Sequence, residues 1–104
     1  MIIKIQGIDF TLRYTARGLF VYERITGEPF SPEKLLNEYT LMYSILLSNN
    51  RHFSMLFEEF IDACDNDPSL FLEFRKWLIN ELKLQVQFVQ EDESDINESG
   101  VKKN

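Results

Sequence analysis

From Ile3 to Tyr14 apolar side chains fall on alternate positions, as Ile3, Ile5, Ile8, Phe10, Leu12 and Tyr14, and the alternation resets once, at Gln6-Gly7. Period two is the spacing of one face of a strand, and a single reset at two turn-forming residues folds the second strand back on the first. In a two-residue loop Ile5 faces Ile8 and Ile3 faces Phe10, which gathers the apolar set on one face and leaves Lys4, Asp9, Thr11 and Arg13 on the other. A two-stranded ribbon is marginal by itself in water. The rest of the chain must supply a surface to receive that face.

Four helical segments are available to do so. Thr15 offers a capping hydroxyl and Gly27 a favourable residue just past a helix end, so a first helix lies between them, with Gly18, Val21, Tyr22 and Ile25 on its buried side. Ser31-Pro32-Glu33 repeats the start signal with a proline at the first helical position, which predicts a second helix from about Pro32 to Ser48. Its middle is apolar nearly all round (Tyr39, Leu41, Met42, Tyr43, Ile45, Leu46, Leu47), the mark of a central helix, and Asn49-Asn50 ends it. Phe53, Phe57, Phe60, Ile61 and Cys64 line one face of a third helix from about Phe53 to Cys64, whose opposite face is acidic. Asp67-Pro68 opens the longest segment, to about Gln90. One stripe of it is Phe71, Phe74, Leu78, Leu82, Val86 and Val89, and a second is Trp77, Leu84 and Phe88. Leu82 to Phe88 also alternates like a strand, but length and the lack of a breaker favour helix.

The expected fold is therefore α+β and mainly α, an N-terminal hairpin packed on a bundle of about four helices. Residues 1–90 form one domain, and residues 91–104, polar and acidic with Ile96 and Val101 as their apolar pair, form a disordered tail. A length of 104 residues supports one core and not two.

Charge and composition exclude several classes of function. Acids outnumber bases 17 to 11, for a net charge of −6, and the bases are scattered among acids, which argues against a phosphate backbone as ligand. Glu58, Glu59, Asp62, Asp65 and Asp67 come closest to a carboxylate row of the kind a DNA mimic needs. They read more simply as a solvated face and a helix cap. The single cysteine, Cys64, has no partner for an internal disulfide and closes an apolar stripe, so it is assigned to the core. His52 is the lone histidine, expected in a loop or at a helix start, and no nucleophile can be paired with it from spacing. No metal-ligand spacing, calcium-loop register or phosphate-cradling glycine run occurs. The chain is thus expected to be a non-enzyme without metal or cofactor, not embedded in a membrane, and cytoplasmic. A helix with two apolar stripes usually has two neighbours, so Trp77, Leu84 and Phe88 are the candidate partner-binding residues, facing a client helix or a second copy.

The stretch Ile5-Gln6-Gly7-Ile8-Asp9-Phe10-Thr11-Leu12-Arg13-Tyr14, with Thr15-Ala16-Arg17 and Phe20-Val21-Tyr22-Glu23-Arg24-Ile25-Thr26-Gly27 after it, resembles the tail assembly chaperones of long-tailed bacteriophages and prophages. Phe57-Glu58-Glu59-Phe60-Ile61-Asp62-Ala63 and Asp65-Asn66-Asp67-Pro68 also look like that family, so the resemblance covers residues 1–80. It implies a non-enzymatic role in the bacterial host cytoplasm. Many copies would coat the tape measure protein, keep its hydrophobic helices soluble and help recruit tail tube subunits. The residues read without that resemblance suit a small acidic interaction protein equally well, either an adaptor or an antitoxin-like inhibitor.

Residues 91–104 carry too little apolar surface to offset an ordering cost of roughly 1–2 kcal/mol per residue. Truncation after Gln90 is expected to leave the melting temperature of the protein nearly unchanged in a thermal denaturation scan, whereas a fall of many degrees would mean that the segment packs on the domain.

Overall fold

The computed structural model describes the backbone of residues 1–96 and the side chains of residues 1–84. Strands β1 (Ile2–Ile5) and β2 (Ile8–Thr11) are followed by helices α1 (Ala16–Thr26), α2 (Leu35–Asn49), α3 (Phe57–Asn66) and α4 (Ser69–Ile96). The hairpin has the register its sequence requires, with Ile3 opposite Phe10 and Ile5 opposite Ile8. Gln6 and Gly7 both have positive φ, 53° and 81°, the condition for a tight turn whose twist matches the flanking strands. Ile3, Ile5, Phe10 and Leu12 are buried, but Ile8, expected with them, is 51% exposed. It stands beside the turn on β2, whereas its opposite number Ile5 on β1 is buried, so at the tip the helices cover β1 and leave β2 open.

That anchor is Asn50. Its Oδ1 accepts the Thr11 N–H at 2.8 Å, and its Nδ2 donates to the Thr11 carbonyl at 2.9 Å and to the Leu46 carbonyl at 3.0 Å. One buried amide thus pairs the edge of β2 as a neighbouring strand would, and Asn49 Nδ2 adds a bond of 3.0 Å to the Arg13 carbonyl.

Helix α1 has the ends its sequence predicts. Thr15 Oγ1 accepts from the Gly18 N–H at 3.1 Å, and Gly27 closes the helix in the left-handed region at φ 79°. Gly18 lets the helix approach α2 closely, since a Cβ there would sit 3.2 Å from Ile45 Cγ1. Gly18 and Tyr22 are buried and Val21 is half-buried, but Ile25 is exposed, and Leu19 packs on the core instead.

Helix α2 is central, in contact with α1, α3, α4 and β2. It begins at Leu35, three residues later than the proline signal predicts. Ser31 makes no side-chain cap. Its carbonyl instead accepts from Asn37 Nδ2 at 2.8 Å, and Pro32-Glu33 form a turn that leads into the helix. The segment after α1 has a packing task that delays the start: Phe30 lies edge-on to Tyr22, with ring centres 5.4 Å apart. Helix α3 likewise begins at Phe57 rather than Phe53. Phe53 is buried in the preceding loop, edge-on to Phe10 at 5.3 Å and near Tyr43 at 5.6 Å, so it covers the hairpin instead of extending the helical stripe. Glu59 then caps the shorter helix by accepting the Leu56 N–H at 2.8 Å.

Asp67 caps α4 through Oδ1, which accepts from the Ser69 N–H and hydroxyl at 3.2 and 2.6 Å. The helix continues to Ile96, past the expected end at Gln90. Extending an established helix avoids the nucleation cost, and neither glycine nor proline interrupts residues 91–96. Of the segment expected to form the tail, residues 97–104 lie outside the described residues. Asn50→Ala would leave both Thr11 backbone groups without their partner and is expected to destabilise the domain by about 2 kcal/mol, a fall in Tm of roughly 10 °C. Asn50→Asp, which keeps an acceptor for the Thr11 N–H but sets a buried carboxylate oxygen against the Thr11 and Leu46 carbonyls, is expected to be at least as destabilising in a calorimetric scan.

Candidate functional site

Helix α4 divides its side chains between two faces. Leu70, Phe71, Phe74 and Leu78 are buried, and Leu82 packs half-buried against the same core, where Phe71 stacks on Tyr39 of α2 with ring centres 3.9 Å apart. The other face carries Glu73, Lys76, Trp77, Asn80 and Leu84, at helical spacings of three and four. With Met1 the first four of these line an open groove of about 410 Å³.

Trp77 belongs to both faces. Its ring lies 5.8 Å from that of Phe74 and packs on the core, and it also forms part of the groove wall. Leu84, two turns further on, is 57% exposed. The expected alignment of Trp77 and Leu84 is therefore present, with roughly 10 Å of helix between them. Phe88, the third candidate, lies outside the residues whose side chains are described. The groove offers an indole, a thioether, an amide and one charge of each sign, which suits contact with another chain's surface.

Sequence periodicity missed other exposed apolar side chains, namely Phe20 and Ile25 on α1, Leu35 and Leu36 at the start of α2, and Leu72 and Ile79 on α4. Spacing gives no warning for Ile25: seven residues from Gly18 and three from Tyr22, it falls on their side of the helix, and its place in the last turn of α1 is what sets it apart.

The groups with reactive potential lie elsewhere. Cys64 is buried on the inner face of α3, and its thiol is pushed up to about 11 by burial, with Asp65 and Asp67 adding to the shift. His52 sits in the loop after α2, stacked on Phe10 with ring centres 4.9 Å apart, and its Nε2 is 3.4 Å from the Asp9 carbonyl oxygen. The Tyr43 hydroxyl donates to the Met55 carbonyl at 2.6 Å, and burial, with Glu59 nearby, raises its pKa above the usual tyrosine value. Glu38 is a buried carboxylate whose Oε1 lies 3.2 Å from Arg75 Nε, an ion pair without hydrogen-bond alignment. Among the described residues no group of three or more His, Cys, Asp or Glu side chains could hold a metal ion, and no helix is long and apolar enough to cross a membrane. Comparison with protein-family models, with curated proteins and with solved structures finds no match to this chain.

The thiol of Cys64 holds its proton more tightly folded than unfolded, so this residue contributes stability that is complete below the unfolded value near 9 and lost as pH rises toward about 11. Alkylation by iodoacetamide at pH 8 is expected to be slow in the native protein and fast in denaturant. Equal rates in the two would show that the thiol is accessible.

Proposed function

We propose that this chain is a tail assembly chaperone of a long-tailed bacteriophage or prophage, a non-enzymatic protein that binds the tape measure protein and tail tube subunits during assembly in the host cytoplasm. The observation that carries the reading is the run from Ile5 to Gly27, which resembles that family and folds as a two-residue hairpin followed by a helix capped by Thr15 and closed by Gly27. Exposed apolar side chains on three helices support it. Phe20, Leu36, Leu72, Ile79 and Leu84 are spread over the surface rather than gathered in a deep pocket, so they can cover apolar stripes on client helices. Each such contact is weak, at about 25 cal/mol per Å² of apolar surface removed from water, which permits release when assembly is complete. Repetition along a long client then supplies the affinity that a single site lacks. The acids Glu58, Asp62, Asp65 and Asp67 stand exposed on and beside α3 and would keep a coated client soluble.

Co-expression with candidate clients tests the reading. A chaperone is expected to hold a very long, coiled-coil-rich protein in the soluble fraction and to co-purify with it in many copies. Leu84→Ser combined with Phe88→Ser should abolish that association while leaving the helical circular dichroism spectrum intact. Recovery of one compact target at one-to-one stoichiometry would instead support an adaptor or antitoxin-like inhibitor.

A further inference from the structure

The hairpin has two outer edges, and the fold treats them differently. Pairs in an antiparallel ladder alternate between those that exchange hydrogen bonds and those whose backbone groups point outward. Ile5–Ile8 closes the two-residue turn and is a bonded pair, as is Ile3–Phe10, and Met1 and Leu12 exchange bonds of 2.7 and 3.1 Å. Ile2, Lys4, Asp9 and Thr11 therefore direct their N–H and C=O groups outward. On β2 these groups are taken up, Thr11 by both ends of the Asn50 amide and the Asp9 carbonyl by contact with His52. On β1 no side chain or backbone group among the described residues bonds those of Ile2 and Lys4, and both side chains are exposed.

We infer that the open edge of β1 is the surface through which two copies of this chain pair. The edge is complementary to itself. An antiparallel partner related by a two-fold axis at Ile3 places Ile2 opposite Lys4 of the second copy, and each such pair exchanges two main-chain hydrogen bonds. The two hairpins then form one four-stranded sheet. Helix α4 packs on β1, whereas α2 packs on β2, so α4 lies on the side of the hairpin that the second copy approaches. The groove between this end of the hairpin and α4 is lined by Met1 with Glu73, Lys76, Trp77 and Asn80. A second copy cannot use β2 instead, because Asn50 and His52 occupy its edge.

Sedimentation equilibrium of the full chain, up to the sub-millimolar range, is expected to give a monomer–dimer equilibrium. Disulfide trapping then tests the register with two exposed-site variants, Ile2→Cys and Lys4→Cys, each retaining the buried Cys64. Opposite residues of a bonded pair have Cα atoms ~5.5 Å apart, within disulfide reach, whereas two copies of Lys4, or of Ile2, are separated by roughly 8 Å or more. An oxidised mixture of the two variants should yield a covalent heterodimer, while either variant alone should stay monomeric on a non-reducing gel. A wild-type chain that sediments as a monomer at every concentration would overturn the inference, and so would single variants that cross-link as readily as the mixture. The sedimentation arm needs no substitution, so a monomeric wild-type chain overturns the inference even if a variant fails to fold, and a dimer whose mixed variants give no covalent heterodimer overturns it as well.

Discussion

A helix enclosed on several sides has few places to send its polar groups, and α2 is such a helix. Leu41, Met42, Ile45 and Leu46 are buried, and with them Glu38, Thr40 and Ser44. The hydroxyls of Thr40 and Ser44 donate back to the carbonyls of Leu36 and Thr40, at 2.8 and 2.7 Å, so they are satisfied without a tertiary partner. Other polar side chains of the segment reach outward and become its joints. Glu38 meets Arg75 of α4, the Tyr43 hydroxyl holds the loop at Met55, and Asn49 and Asn50 hold the hairpin. Apolar burial places the neighbours around α2, and these joints fix where along its length each neighbour sits.

Features set by neighbours in sequence were legible, and features set by distant contacts were not. The hairpin register follows from the Gln6-Gly7 reset, and both ends of α1 follow from Thr15 and Gly27, because each signal lies within a few residues of what it specifies. The starts of α2 and α3 do not follow from their signals. In both cases an aromatic residue of the preceding loop, Phe30 or Phe53, is claimed by a ring elsewhere in the chain, and the helix begins after that claim is met. Asn49-Asn50 reads in sequence only as a helix stop. Its second task depends on Thr11, 39 residues from Asn50, and no local pattern points there.

The candidate site divides in the same way. Spacing alone puts Trp77 and Leu84 on one face of α4, since seven residues make close to two turns. That Trp77 would also wall the core could not be read from the stripe. An indole is wide enough to touch Phe74 within the core and to line a groove on its other side. The groove needs Met1 beside residues 73 to 80, a pairing made only when β1 settles on α4.

The division of labour along α4 has a consequence for how such a surface can change. Its core face, Leu70 to Leu78, carries the packing that joins the helix to α2 and the hairpin, and substitutions there create cavities that threaten folding. Substitutions at Glu73, Lys76, Asn80 or Leu84 remove little buried area, so these positions can vary at small cost in stability. The price of that freedom is exposed apolar surface, which in a neutral protein invites indiscriminate association. A net charge of −6 opposes it through mutual repulsion between copies at long range. Such repulsion is screened within about 10 Å at moderate ionic strength, so it discourages loose encounters and yields to a contact that aligns hydrogen bonds and packs side chains at short range.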